Sequence, residues 1–147
     1  MVGGGQGAFI GAVHRIAARM DDQYVLVAGA LSSDPQRAKA SGEDLGLDPE
    51  RIYSDYQVMA KSEAQRNDGI EAVSVVTPNH LHFPVAKAFM EAGIHVICDK
   101  PLTTTVKEAK ELVSLVNKTG GKVEYFPETV LSRDILVDHL DRSGAYR

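Results

Sequence analysis

The sequence predicts an α/β fold: a doubly wound, mostly parallel sheet with helices on both faces and therefore three layers. Short apolar runs that resemble strands alternate along the chain with longer segments whose apolar residues repeat at helical spacing. Glycines stand between several of these helical segments and the next apolar run. Because parallel strands need crossover connections, the alternation indicates right-handed β-α-β units.

The predicted strands are short, and the first one is abnormally short. Five runs have the composition of strands, the last of them more weakly: Tyr24–Ala30, Ala72–Val76, His95–Cys98, Lys122–Phe126 and Arg51–Tyr53. A strand before the N-terminal glycines would retain only Met1 and Val2, whereas strands usually run about five or six residues. We therefore expect a chain in which this end of the fold is incomplete.

Three helices are predicted from apolar residues that share one helical face. The three faces consist of Ile10, Val13, Ile16, Ala17 and Met20; Leu81, Val85, Ala88, Phe89 and Ala92; and Val106, Ala109, Leu112, Val113 and Val116. A further helix is expected to begin at Pro35, with Ser33 or Asp34 as its cap. Glycines that suit left-handed positions follow three of the helices: Gly46, Gly93 and Gly120.

Composition excludes several classes of function. A chain of 147 residues suits one domain, and its net charge of −4 without a basic stripe argues against a nucleic-acid surface. The single cysteine, Cys98, cannot form an internal disulfide, so a reducing cytoplasm is the expected compartment. No apolar run reaches the roughly 18 residues that a membrane span requires.

A glycine-rich segment precedes the first predicted helix and indicates a phosphate-binding turn. Glycines let the backbone approach a pyrophosphate, while the start of the helix presents N–H groups and the positive end of its dipole. The predicted contacts are Gly3, Gly5, Gln6, Gly7, Ala8, Phe9 and Ile10. Two registers are open: G-x-G-x-x-A over Gly3, Gly5 and Ala8, or a turn with a two-residue insertion in which Gly11 is the close-packing glycine. A flexible leader is the alternative to both.

The second predicted strand ends in serines where a dinucleotide-binding fold often has an acid for the ribose hydroxyls of NAD. Ser32 and Ser33 can donate to a 2′-phosphate, and Arg37 lies one helical turn further on. NADP is therefore slightly favoured over NAD as the cofactor. The alternative is that this segment merely caps the helix that follows.

Two further motifs follow apolar runs, and their residues should meet at the carboxyl edge of the sheet. One is the segment from Thr77 to His82, and the other runs from Cys98 to Pro101. The proline places Lys100 at a turn instead of inside a strand, although a merely solvated lysine is the common alternative. His80 and His82 are two residues apart and do not share a helix face, so no metal site is predicted.

These three motifs together resemble the NAD(P)-dependent glucose-fructose oxidoreductase and inositol dehydrogenase family over roughly residues 1–122. The resemblance implies a Rossmann-type NAD(P)-binding domain in which Lys100 is the catalytic residue and Asp99 replaces the usual glutamate. It also implies that Thr77, Asn79 and His82 contact the cofactor or lie beside it. The other predicted cofactor contacts are Pro78, Asp99, Lys100 and Pro101.

The implied function is hydride transfer from the CH–OH group of a sugar, cyclitol or similar polyol to the nicotinamide. The alternatives are an NAD-dependent glycosidase and a catalytically silent dinucleotide-binding fragment. We expect residues 123–147 to be an atypical tail and the family's second domain, which by resemblance forms most of the substrate pocket, to be missing. We therefore expect this chain alone to be inactive, with a polyol as partner only where that domain is present. The family forms homo-oligomers.

Overall fold

The structure is a computed structural model that describes residues 1–20, 22, 24–119 and 123–126, the last four by their backbone alone. Within these residues a sheet of four parallel strands has the order β1-β2-β3-β4. The strands are β1 at Val2–Gly3, β2 at Ala72–Val76, β3 at His95–Asp99 and β4 at Val123–Phe126. The α/β prediction with a mostly parallel sheet is confirmed.

Five α-helices connect the strands in the described part of the chain. They are α1 at Phe9–Arg19, α2 at Pro35–Asp44, α3 at Tyr56–Ala64, α4 at Asn79–Glu91 and α5 at Val106–Thr119. The four predicted helices are confirmed, and α3 is additional. Of the two predicted caps of α2 the structure has Asp34, whose carboxylate accepts the Arg37 N–H at 2.7 Å.

Helices cover both faces of the sheet, which gives the predicted three layers. Neighbouring residues of a strand point to opposite faces, and Val75 and Val76 accordingly belong to two different apolar clusters. The larger cluster packs β2 and β3 against α3, α4 and α5 through residues such as Met59 and Phe89. The smaller one includes Met1, Leu31, Leu47 and Val76, with Ile10 of α1 packed against it.

The prediction of a continuous strand over Tyr24–Ala30 is wrong. The structure has only two isolated bridges there, between Val2 and Ala30 and between Gly29 and Ile52. β1 is only two residues long, so it offers too few partners to extend the pairing. The weaker strand at Arg51–Tyr53 is wrong for a related reason, because a 3₁₀ turn occupies Pro49–Arg51 and leaves only the single bridge at Ile52.

Glycines end two of the helices as expected, since Gly46 has a φ of 69° and Gly93 a φ of 80°. Gly120, Lys122 and the tail from residue 127 lie outside the described residues. β4, past the expected domain boundary at residue 122, pairs with β3 and extends the same sheet. Among the helices of the described part, none combines the length and apolarity needed to cross a bilayer.

The register of the sheet brings the predicted site residues to one edge. Gly3 lies opposite Val76, and Val75 lies opposite Cys98, so β1, β2 and β3 end side by side. Neighbouring strands are about 4.8 Å apart. The segments that follow these strands are therefore neighbours, and they contain the three predicted motifs.

Candidate cofactor-binding site

The turn between β1 and α1 needs glycine for both conformation and space. Gly3, Gly4 and Gly7 have φ values of 78°, 74° and 78°, in the left-handed region that favours glycine. A Cβ on Gly3 would lie 2.7 Å from the carbonyl oxygen of Val76, which belongs to the neighbouring strand. The turn therefore packs tightly against β2.

Gly11 settles the register of this turn. A Cβ on Gly11 would lie 2.4 Å from Cα of Gly4 and 2.6 Å from its carbonyl oxygen, so only glycine lets α1 approach the turn. Ala8 is the N-cap residue, exposed and outside the helix, and does not have this close-packing role. The structure supports the register in which Gly11 is the close-packing glycine and not the one that ends in Ala8.

Two helices begin at this edge without a side-chain cap. Ala8 at the start of α1 and Pro78 at the start of α4 provide no capping hydrogen bond, and neither first turn contains an acid. In contrast, Asp34 and Asp55 cap α2 and α3. Because the first N–H groups of a helix have no partner within it, the two uncapped ends suit an anionic or polar ligand.

Two of the three predicted 2′-phosphate contacts, Ser32 and Arg37, already have hydrogen-bond partners. Ser32 Oγ accepts the N–H of Asp34 at 3.2 Å, and Arg37 Nη2 donates to the carbonyl oxygen of Gln6 at 2.8 Å. Ser33 is exposed beside them. The structure therefore joins Arg37 to the glycine turn, an arrangement that spacing along the sequence did not indicate.

Gln6, a predicted cofactor contact, directs its polar groups towards α2. Its N–H donates to Ser41 Oγ at 3.0 Å, and its side-chain Nε2 donates to Asp44 Oδ2 at 2.6 Å. A cavity of about 320 Å³ lies against this part of the turn, between α1 and α2. Its lining includes Gly7, Ala8 and Phe9 and lacks the residues that follow β2 and β3.

The segment after β2 contains an unsatisfied hydroxyl. Thr77 Oγ1 is buried and has no hydrogen-bond partner. Among the residues the structure describes, no other buried side-chain oxygen or nitrogen lacks one. The Thr77 methyl group lies 3.2 Å from the position that a Cβ on Gly3 would take, so Thr77 adjoins the glycine turn. Pro78 and Asn79 follow it, both exposed. A buried hydroxyl without a partner costs free energy, which a bound polar ligand would recover.

His82 is buried, and its ring joins two of the motifs. It is 1% exposed, with Nδ1 2.6 Å from the carbonyl oxygen of Pro101 and Nε2 2.8 Å from that of Thr77. Of the two expectations for His82, the structure fits a position beside the cofactor and not a direct contact, because both ring nitrogens face protein carbonyls. His80, in contrast, is exposed at the start of α4.

Lys100 is exposed directly after β3, and the peptide bond to Pro101 is cis. The carboxylate of Asp99 accepts the Lys100 N–H at 2.9 Å. His14 of α1, for which no role is predicted, lies beside the Asp99 carboxylate. The Nε2 atom of His14 is 3.9 Å from Asp99 Oδ1, and its Nδ1 is 3.0 Å from Ser74 Oγ. Asp99, Lys100 and Pro101 of one motif and the unpredicted His14 thus lie together at this edge.

Burial determines the ionisation of two groups beside the site. It lowers the pKa of His14 below the ordinary value of 6.5, and the nearby Asp99 carboxylate only partly opposes this. Burial also raises the pKa of the Cys98 thiol to about 12, so this cysteine is no nucleophile at neutral pH. Within the described residues, no three His, Cys, Asp or Glu side chains group closely enough to hold a metal ion.

Three features define a dinucleotide-binding domain of the Rossmann type: a parallel sheet with helices on both faces, a turn whose conformation and packing require glycine, and an uncapped helix that follows this turn. A family model described as "Oxidoreductase family, NAD-binding Rossmann fold" matches residues 1–126. The chain belongs to this family, that of glucose-fructose oxidoreductase and inositol dehydrogenase.

Relatives and solved structures agree with this assignment. The "Uncharacterized oxidoreductase YfiI" of Bacillus subtilis is 49% identical over 121 residues, which are 82% of this chain and 31% of the relative. An oxidoreductase structure from Sinorhizobium meliloti has 58% identity and a TM-score of 0.79, over 85% of this chain and 35% of the other. An inositol dehydrogenase homolog from Azotobacter vinelandii, solved with NADH and myo-inositol, has 47% identity and a TM-score of 0.83, over 85% and 33%. The chain thus spans about a third of the length of these relatives.

Proposed function

We propose that this chain is the NAD(P)-binding part of an oxidoreductase that transfers hydride from a CH–OH group of a cyclitol, sugar or similar polyol to the nicotinamide. The observation that carries the proposal is the meeting of the glycine turn, Thr77 and Lys100 at one edge of the sheet. The Azotobacter vinelandii homolog, solved with NADH and myo-inositol, supports the choice of substrate class.

The residues present fit a dinucleotide. The uncapped first turn of α1, with Gly7, Phe9 and Ile10, would hold the pyrophosphate by backbone N–H groups and the helix dipole. Ser32 and Ser33 would lie at the adenosine ribose. Further along the edge, the unpartnered hydroxyl of Thr77 together with Pro78 and Asn79 would hold the nicotinamide half, the group that accepts the hydride when the cofactor is bound.

Lys100 is the residue that we propose acts on the substrate. Exposed after β3, it would hold the reacting hydroxyl and take up its proton as general base. The hydrogen bond between its backbone N–H and the Asp99 carboxylate fixes the start of the turn. His82 fixes the end, because its ring contacts the Pro101 carbonyl. We therefore propose that Asp99 and Pro101 orient Lys100, and that these three residues contact the nicotinamide and hold it in place.

Cofactor binding is tested by the thermal unfolding of the 147-residue chain. A ligand that binds only the native state raises the midpoint, by an amount that grows with its concentration. We expect NAD⁺ or NADP⁺ to raise it at millimolar concentration and AMP to raise it less. No shift with either dinucleotide would contradict the proposed function.

Dehydrogenase activity is tested in a longer protein. We propose that the chain alone is inactive because holding a substrate carbon against the nicotinamide, worth about 7–11 kcal/mol of the barrier, needs an enclosed site. A chimera in which residues 1–126 replace the matching third of the Azotobacter vinelandii homolog should reduce NAD⁺ or NADP⁺ with myo-inositol. Lys100→Ala in the chimera should lower kcat about 10²- to 10⁴-fold, whereas Lys61→Ala on α3 should not. Equal activity of both variants would remove Lys100 from the mechanism.

A further inference from the structure

We propose that Arg37, Ser41 and Asp44, all on α2, are positioning residues that fix the glycine turn for the pyrophosphate. They lie at intervals of four and three residues and therefore on one face of the helix. This inference rests on the proposed function, because it assigns a role within the same dinucleotide site. It also changes the role of Arg37 from contact with a 2′-phosphate to support of the turn.

The contacts all converge on Gln6, at the tip of the turn. Arg37 Nη2 donates to the Gln6 carbonyl oxygen at 2.8 Å, and Ser41 Oγ accepts the Gln6 N–H at 3.0 Å. Asp44 Oδ2 accepts from Gln6 Nε2 at 2.6 Å. Three polar groups of Gln6 are therefore each bonded to a different side chain of α2. The Gln6 N–H and the Gln6 carbonyl belong to the peptide units before and after this residue, so neither unit can rotate without breaking a bond to α2.

The packing under the turn shows that this contact is built into the fold. Ser41 is 2% exposed, and a Cβ on Gly5 would lie 2.7 Å from Ser41 Oγ and 2.8 Å from the carbonyl oxygen of Leu31. Gly5 is thus a glycine because α2 presses against the turn at this point. The Gly7 side of the turn is more open, since a Cβ there would meet only Arg37, at 3.5 Å.

A fixed turn matters because the remaining N–H groups must already point at the phosphates when the ligand arrives. Gln6 cannot offer its own N–H, which Ser41 takes, so its contribution is to hold the geometry of Gly7 and the first turn of α1. Ordering a flexible loop on binding costs affinity, whereas a preorganised loop avoids that cost. Loss of one of the α2 contacts should therefore weaken every ligand that contains the pyrophosphate, whether or not it has a 2′-phosphate.

The test compares Arg37→Met, Ser41→Ala and Asp44→Ala with the unsubstituted chain by calorimetric titration of NAD⁺, NADP⁺, ADP-ribose and AMP. Each variant should bind NAD⁺, NADP⁺ and ADP-ribose about 3- to 10-fold more weakly, the range for one net hydrogen bond, with less than 2-fold change for AMP. Asp44→Asn, which keeps an acceptor for Gln6, should retain most of the affinity that Asp44→Ala loses. Lys39→Ala, an exposed position on the same helix, is the matched control.

The outcomes separate this inference from the proposed function. If the unsubstituted chain binds no dinucleotide, both are overturned. If it binds NAD⁺ and ADP-ribose and Ser41→Ala and Asp44→Ala leave those affinities unchanged, the positioning role alone is overturned. A loss confined to NADP⁺ in Arg37→Met would return Arg37 to the 2′-phosphate and contradict the inference for that residue.

Discussion

Gly11→Ala should displace the glycine turn, because α1 packs against the turn at Gly11. The added Cβ would lie 2.4 Å from Cα of Gly4, more than an ångström inside the ordinary carbon–carbon contact distance of about 3.5–4.0 Å, and 2.6 Å from the Gly4 oxygen. Both contacts are with backbone, so no flexible side chain can yield. Overpacking of this kind costs about 1–3 kcal/mol, and the severity of the contact favours the upper end. Alanine recovers about 1 kcal/mol of helix propensity, which leaves a loss of about 2 kcal/mol.

This loss corresponds to a fall of about 4–8 °C in the midpoint of thermal unfolding for a chain of this size. The turn must also shift by about 1 Å to relieve the contact, which would misalign at least one N–H group from the phosphates and weaken NAD⁺ binding about tenfold or more, since a charge-assisted hydrogen bond contributes about 1.5–3 kcal/mol.

Gly93→Ala is the matched control. Its φ of 80° makes alanine cost about 1–2 kcal/mol, yet nothing lies within 4 Å of the new Cβ, and Gly93 follows α4 away from the site. It should lower the midpoint without changing NAD⁺ affinity. If Gly11→Ala behaves like Gly93→Ala in both measurements, the close approach of α1 to the turn does not shape the binding site.

Three other substitutions test separate parts of the account. Ser32→Asp should turn cofactor preference towards NAD, because a carboxylate accepts from the ribose hydroxyl and repels a 2′-phosphate; an unchanged ratio of dissociation constants for NAD⁺ and NADP⁺ would place Ser32 away from the ribose. Burial lowers the pKa of His14, so the unfolded chain binds its proton more tightly and the free energy of unfolding should fall as pH drops below about 6.5. His14→Gln should weaken the dependence of the unfolding free energy on pH, measured by urea unfolding between pH 7.5 and 5.5. An unchanged dependence would contradict the assignment of this effect to His14. Glu63→Gln removes the negative charge that faces the buried Arg51 guanidinium and should cost about 3 kcal/mol in urea unfolding, the lower end of the usual range because glutamine keeps one acceptor and Asp68 lies 3.8 Å from Arg51; a loss below about 1 kcal/mol would contradict this.

Local patterns in the sequence were enough to predict four of the helices and the strands β2, β3 and β4. Apolar residues at helical spacing mark the helices, although that face of α1 is largely exposed, as at Ile16 and Met20. Pro35 with its acidic cap marks where α2 begins. The run over Tyr24–Ala30 has the composition of a strand, but pairing depends on neighbours that composition does not report. α3 went unpredicted because its apolar residues do not share one helical face: Met59 and Ala60 are buried, whereas the adjacent Val58 is exposed.

The candidate site was predictable in its location and less so in its contacts. Three motifs after three strands predicted the edge at which Gly3, Thr77 and Lys100 meet. The choice of Gly11 as the close-packing glycine required distances between α1 and the turn. Likewise, the contact of Arg37 with Gln6 joins residues 31 positions apart, and the buried histidines His14 and His82 join elements that no spacing rule connects.

Hydrogen exchange of the backbone amides, with and without saturating NAD⁺, tests the central claim most directly because it reports on the N–H groups themselves. The account predicts slower exchange in two segments of the 147-residue chain, residues 4–11 around the glycine turn and residues 76–80 at the start of α4. AMP should protect neither segment to the same extent. Protection confined to other parts of the chain, or none at NAD⁺ concentrations that raise the unfolding midpoint, would contradict the assignment of this edge as the cofactor site.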